Sequence, residues 1–585
     1  MFDRWDLSII YAGFDSPEFK ADLASVDGYI EKLNLFAKAA PSMGHAEVIR
    51  QYITLESELS ALVEKLYIYS SLTYSADTGS APAQSTMGLL MGKLSAAAAA
   101  EAALKGIIGK FDDLDCLIAA NPDIGEYEYL LKKLRQDGRY LLSDAEEEIF
   151  ARMSISGANA WEDLQSSLTS SLTAEYRGGE ITLSEVRNLA YDADSDVRKD
   201  AYAAELACYK KAETSVAFAL NSIKLQVINE CKLRGYDSPL DKSLKDSRMK
   251  RQTLDALWGA IEEYLPKFWE YMRLKAKALG HEGGLPWYDM FAPMGGGSKK
   301  YSVEEARDCL LDIFGKVDGD IRDTIKDAFD NDWIDFFPRD GKVGGAFDCG
   351  VPAIGQSRVL TNFDGTFSSI VTLAHELGHA FHDRQVFPHR ELNRGYPMPV
   401  AETASTFNEV LIVSRAIEEA ETKEEKLALI EGQLSDANQI ICDIYSRFLF
   451  ESAVFENREQ EFMGPERLCQ LMHEAQHKAY GDGIAEDSLN PYMWLCKSHY
   501  YSGGFSFYNY PYAFGGLFAR GLYAKYLEEG PSFFASYKRM LNATSVMDVE
   551  DCAALMGIDL TDRAFWRAGL QSLADEIDLF KSLLE

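Results

Sequence analysis

The sequence has no CxxC pair: its nine cysteines stand singly between Cys116 and Cys552. An odd, dispersed set argues against a disulfide framework and fits a reducing compartment. Positive charge is also scarce, since 59 basic residues against 92 acidic ones leave a net charge of −33. Such a surface repels phosphate backbones and anionic lipid, which argues against nucleic acid or a membrane as partner. No apolar run is long enough to cross a bilayer. The most apolar-looking stretch, 95–103, is mostly alanine, is bracketed by Lys93 and Lys105, and carries Glu101. The opening Met1-Phe2-Asp3-Arg4-Trp5-Asp6 has two acids and no long apolar run behind it, unlike a signal peptide. These absences lead to the expectation of a soluble, cytoplasmic protein. There is no internal repeat and no low-complexity linker either.

What is present is a globular composition, 47% hydrophobic and 26% charged, in a chain long enough to fold without a structural metal. Helical periodicity dominates, as in 46–69, 87–111 and 423–457, where apolar residues recur three and four apart. The best strand candidate is 341–362, where Gly341, Gly344, Gly345, Gly350 and Gly355 punctuate Val351, Ile354 and the run Arg358-Val359-Leu360-Thr361. The expected architecture is predominantly α-helical with one minor sheet. The seam between an N-terminal helical unit (1–190) and a larger unit (191–585) is expected in 177–195, and the glycine-rich stretch 281–299 reads as a surface loop.

The chemistry is concentrated in His375-Glu376-Leu377-Gly378-His379. Histidines at i and i+4 stack on one helix face and can grip one ion together. Glu376 can then reach a metal-bound water without ligating the metal. Zinc suits two imidazoles and a carboxylate with a fourth position open. A second match, His473-Glu474-Ala475-Gln476-His477, is followed directly by Lys478 and reads as a solvated helix face, whereas the first copy is flanked by uncharged residues. The longer pattern HExxHxxGxxH is excluded, because the chain has His382 and Gln385 where it needs glycine and histidine. A glutamate from a following helix is the other common third ligand. Between Glu391 and Glu409 the only glutamate is Glu402, which makes it the expected ligand, with Glu409, seven residues on and on the same face, orienting an imidazole.

The stretch 375–382, followed by Ala401-Glu402-Thr403-Ala404-Ser405, resembles the oligoendopeptidase F branch of the thimet-oligopeptidase-type metallopeptidases. Trp5-Asp6-Leu7-Ser8, Phe14-Asp15-Ser16-Pro17-Glu18-Phe19 and Gly345-Ala346-Phe347-Asp348-Cys349-Gly350 are similar to that branch as well. The resemblance implies a two-lobed helical shell around a deep substrate channel, a small sheet near the zinc site, and cleavage of short peptides. It also implies a histidine and tyrosines facing the zinc. His499 is the firmest match, with Tyr508, Tyr510 and Tyr512 sharing the remaining role. The expected function is a zinc-dependent endopeptidase holding one Zn²⁺, with short unstructured peptides as partners and Glu376 as base. A zinc-dependent exopeptidase (carboxypeptidase-like) or amidase on the same centre is the alternative, and a non-catalytic peptide-binding protein with a vestigial site is a third class. The glycine-rich strand segment could pair with an extended peptide.

Overall fold

The computed structural model describes residues 3–295 and 299–585; Met1, Phe2, and Gly296, Gly297 and Ser298 of the expected surface loop lie outside the described residues. The chain is predominantly helical, with a few short strands. Two hydrophobic cores organise it. The first gathers residues from Trp5 to Leu131 together with Val351 and Leu360, and the second runs from Ala158 to Phe580. Packing thus draws its line earlier than position 190, for Leu172, Ala174, Leu183 and Val186 belong to the second core.

The periodic segments fold as helices, with two refinements. The stretch 87–111 breaks at Ala96–Ala97 into helices Ala81–Ser95 and Ala98–Gly109, bent by 46°. Among the described residues no single helix is long and apolar enough to cross a membrane, and only this bent pair meets that measure jointly. The stretch 423–457 is one rod, Lys423–Asn438 continuing into Ile444–Arg458 through a π-turn at Gln439–Asp443.

The expectation of one minor sheet is corrected: among the described residues there are two. The unexpected one is a hairpin, β1 (Thr173–Tyr176) against β2 (Gly179–Thr182). Its two-residue turn puts both Arg177 (φ 48°) and Gly178 (φ 82°) in the left-handed region, as the right-handed twist of a tight hairpin requires. The second sheet has the order β3-β5-β4, with β3 (Ile334–Asp335) parallel and β4 (Phe347–Val351) antiparallel to β5 (Gln356–Leu360). Successive side chains of a strand point to opposite faces, so Val359 enters the second core while Leu360 enters the first. The sheet is wedged between the two cores. That leaves β4 as an edge, against which the helix Phe367–Val386 packs.

Candidate metal centre

Helix Phe367–Val386 begins where the Thr366 hydroxyl accepts from Ser369 N and Asp364 accepts from Thr366 and Ser369. Its buried stripe of Ile370, Leu373, Ala374, Leu377, Gly378 and Phe381 recurs at helical spacing and faces the core. His375 and His379 are left half-buried on another face, with Glu376 6% exposed between them.

The candidate third ligand arrives from a kinked segment. A single turn, Met398–Ala401, ends at Glu402, and helix Thr403–Glu419 starts immediately after. Glu402 sits at that junction, with its side chain turned towards the imidazoles. The two Nε2 atoms are 3.2 Å apart, and Glu402 Oε2 lies 3.3 Å from each. The centre of such a triangle is about 1.9 Å from every corner, close to the zinc–nitrogen and zinc–oxygen bond lengths of roughly 2.0–2.2 Å, so the donor set fits a zinc ion. Glu376 belongs to a looser grouping with the two histidines, whose ligand atoms all lie within 4.8 Å of one another. The second HExxH differs in geometry. The His473 and His477 rings are parallel and 6.5 Å apart, and among the described residues the only carboxylate paired there is an exposed Glu486, 3.7 Å from His477 Nδ1.

Electrostatics follow the geometry. Burial alone disfavours the His375 imidazolium, but Glu402 and Glu409 at its two ring nitrogens push it up to about 10. A proton is therefore what a cation has to displace there. Glu409 Oε1 stands 3.0 Å from His375 Nδ1, near enough for an ion pair though off the line of a good hydrogen bond. Burial works against the Glu402 carboxylate, yet the two histidines hold it well below the usual range. Burial raises Glu376, with the histidines opposing.

Several supporting residues had no role assigned from the sequence, although Ser405, Asp348 and His382 lie in the stretches that carry the resemblance. Ser405 donates to Glu402 Oε2 at 2.8 Å, and Asn408 Nδ2 donates to Ala374 O at 3.0 Å, tying the two helices together. Near Glu376, Asp348 of β4 and Asp383 of the ligand helix form a half-buried carboxyl pair. Burial raises both, Asp348 also through the charges of Asp383 and Glu376, and Asp383 to about 6. His382 is buried, 2.8 Å from Thr544 Oγ1 and stacked on Tyr396, and burial lowers it to about 3.

The C-terminal candidates separate. Tyr512 lies on the helix Tyr510–Glu529, whose Gly515 lets that helix approach Glu402: a Cβ there would stand 3.3 Å from Glu402 Cβ. Burial raises the Tyr512 phenol, as do a hydrogen bond with Tyr508 and the charge of Glu402, and the two tyrosine rings are 5.6 Å apart. Tyr510 is removed from the candidates, because its hydroxyl is committed to Ser247 Oγ (2.8 Å) and Ser243 O (3.1 Å). His499 makes no hydrogen bond or ion pair to the ligand set among the described residues. Its Nε2 is buried without a partner, and burial together with Arg447 and Lys497 lowers it to about 2. The loop before the tyrosine helix is held by Glu451, which accepts from Phe507 N (3.1 Å), Asn509 Nδ2 (2.8 Å) and the buried Lys224 (2.7 Å).

The model of peptidase family M3 matches residues 188–572, and that of oligopeptidase F matches 110–173. The chain belongs to peptidase family M3. It is 24% identical to the oligopeptidase PepF of Bacillus subtilis, covering all of this chain and 87% of that protein. It is 25% identical to an oligoendopeptidase F homolog of Lactococcus lactis, covering 99% and 97%. A solved structure from Chlamydophila abortus superposes with TM-score 0.83 at 21% identity, covering 98% of both chains. The oligoendopeptidase F of Enterococcus faecium superposes with TM-score 0.71 at 18% identity, covering 97% of this chain and 99% of that one. This M3 chain is thus a peptidase with the fold of the oligoendopeptidase F structures.

Proposed function

We propose that this M3 peptidase is a zinc-dependent endopeptidase acting on short, unstructured peptides. The observation that carries the reading is the meeting of His375 Nε2, His379 Nε2 and Glu402 Oε2 within 3.3 Å of one another, with Glu376 buried beside them. His375, His379 and Glu402 would hold the ion, while Glu409 and Ser405 orient their side chains. Bound zinc supplies a Lewis acid that polarises a carbonyl and lowers the pKa of water from about 15.7 to about 7.

The chain's own groups do the rest. Glu376, raised by burial, takes a proton from the attacking water and returns it to the leaving amine. Tyr512 with Tyr508 donates to the carbonyl oxygen as charge grows there, an interaction worth about 3 kcal/mol where such donors have been removed. His499, kept neutral, can donate one N–H for the same purpose. The edge of β4 suits an extended peptide, which adds a strand through main-chain hydrogen bonds. A two-lobed shell around a channel, excluding folded proteins, belongs to the same reading. So does a cytoplasmic setting, supported by nine unpaired cysteines.

The test is digestion of a peptide library by metal-loaded wild type and Glu376→Gln, read by mass spectrometry. The variant is expected to retain zinc and lose at least about a hundredfold in turnover; a fully active variant refutes the mechanism. Cleavage confined to the last residue, and lost on blocking the terminus, would favour the exopeptidase alternative.

A further inference from the structure

A cavity of about 570 Å³ is lined among others by Arg187, Tyr191, Glu205, Asp436, Asp443 and Lys497. Its volume falls within the range of ligand sites. Two connections tie it to the catalytic machinery. Gly432 and Asp436 line both this cavity and an adjoining one of about 290 Å³, which reaches Glu409, the carboxylate against His375. At the other end, Lys497 stands two residues before His499 and close enough to disfavour its protonation. The π-turn at Gln439–Asp443 brings Gln439 and Asp443 to the wall, and such turns concentrate at functional sites.

Most charges on this wall are matched. Arg198 pairs with Asp289, Lys275 with Glu431, Asp443 with Arg447, and Arg187 lies 3.5 Å from Glu205. Lys497 is different: among the described residues it meets no carboxylate in an ion pair and donates no hydrogen bond. Glu205 is influenced by both Arg187 and Lys497 and already accepts from the Tyr209 hydroxyl. The wall as a whole is balanced, with Arg187, Arg198, Lys275 and Lys497 against Glu205, Glu431, Asp436 and Asp443, but at this end Arg187 and Lys497 face Glu205, and Asp443, the other carboxylate acting on Lys497, is held by Arg447. What would complete it is a second carboxylate, and every peptide carries one at its C-terminus.

We propose that Lys497, with Arg187, binds the free C-terminal carboxylate of peptide substrates. The proposal rests on the peptidase reading above and adds a rule of substrate choice to it: peptides are selected by their chain end. A partly buried cation without a partner disfavours its own charged form, and a bound carboxylate removes that penalty through charge-assisted hydrogen bonds.

The experiment reads binding rather than turnover. Metal-loaded Glu376→Gln protein is titrated calorimetrically with peptides of about four to ten residues, each as free acid and as C-terminal amide. The acid is expected to bind at least about tenfold tighter at one or more lengths. Adding Lys497→Met should bring the ratio near one, and Lys497→Arg should keep it. Equal affinities throughout, no binding by any pair, or a ratio that survives Lys497→Met overturns the proposal. An amide ending in glutamate that binds as tightly as the acids overturns it in favour of a side-chain carboxylate site. The two readings fail separately. Metal-dependent cleavage of acids and amides alike removes the chain-end rule and leaves the peptidase, whereas the expected binding ratio without cleavage by wild type does the reverse.

Discussion

A Cβ added to Gly378 would lie 2.5 Å from Ser405 Cα and 2.7 Å from the Ala404 carbonyl oxygen. The backbone of the helix after Glu402 therefore rests directly on the ligand helix, and that contact sets how close Glu402 comes to both imidazoles. Because the opposing atoms are backbone, they cannot rotate away. Gly378→Ala is expected to destabilise by about 1–3 kcal/mol and to weaken zinc binding, read as a lower urea midpoint and lost zinc after dialysis. An alanine variant with full zinc and wild-type stability would show that this contact does not set the ligand spacing.

Zinc binding should release protons. Glu402 and Glu409 push His375 up to about 10, so at pH 7 the stripped protein carries an imidazolium that metal must displace. Calorimetric titration of zinc into chelator-stripped protein, in buffers of differing ionisation enthalpy, is expected to show release of about one proton. Removing Glu409 as Glu409→Gln takes away one of the two supporting carboxylates, so proton release should shrink and zinc affinity should fall about tenfold or more.

What the sequence made legible was local. The i,i+4 histidines and the glutamate between them could be read because helical spacing fixes where such side chains point, Glu402 because it is the only glutamate between Glu391 and Glu409, and the glycines of 341–362 marked the sheet beside the site. The hairpin at Thr173–Thr182 was missed because Arg177 occupies a left-handed turn position that usually signals itself by asparagine or glycine. The Asp348–Asp383 pair, the link from Lys224 to Glu451 and the unpaired lysine of the side cavity join residues 35 to 310 positions apart or depend on what is absent nearby. No periodicity reports such pairings. Tyr510 could not be told from its neighbours until its hydroxyl was found committed to two serines.

Glu64, on helix His45–Ala76, meets Glu391 in the segment leading to Glu402, and burial, then the charge of Glu391, raises Glu64 to about 7. An unfolded glutamate titrates near 4.3. Between those values the native state keeps a proton that the unfolded state has lost, so stability falls as pH rises from about 4.3 to 7 and is constant above. The contribution is about 2 kcal/mol, discounted for partial exposure. Glu64→Gln, which cannot ionise, should match wild type in urea midpoint near pH 4.5 and exceed it at pH 8. A difference that does not change with pH would remove Glu64 as the titrating group.

Lys224 and Glu451 are 1% and 0% exposed and 2.7 Å apart, and the same carboxylate holds Phe507 N and Asn509 Nδ2. Phe507 takes a left-handed backbone (φ 57°), a strained conformation that persists only where its surroundings impose it. Glu451→Gln leaves Lys224 buried without a counter-charge, at a cost of about 3–5 kcal/mol. Combining it with Lys224→Met removes both charges and should recover most of that stability. Activity should not recover with it, because Phe507 and Asn509 donate to different oxygens of Glu451, and an amide keeps an acceptor at only one of those two positions. The loop carrying Tyr508 then loosens, and groups that act on charge developing in the transition state affect kcat more than KM. Unfolding midpoints and steady-state kinetics on the single and double variants separate the two effects. A double variant that regains kcat along with stability would mean that the ion pair supports the fold alone and does not place the tyrosines.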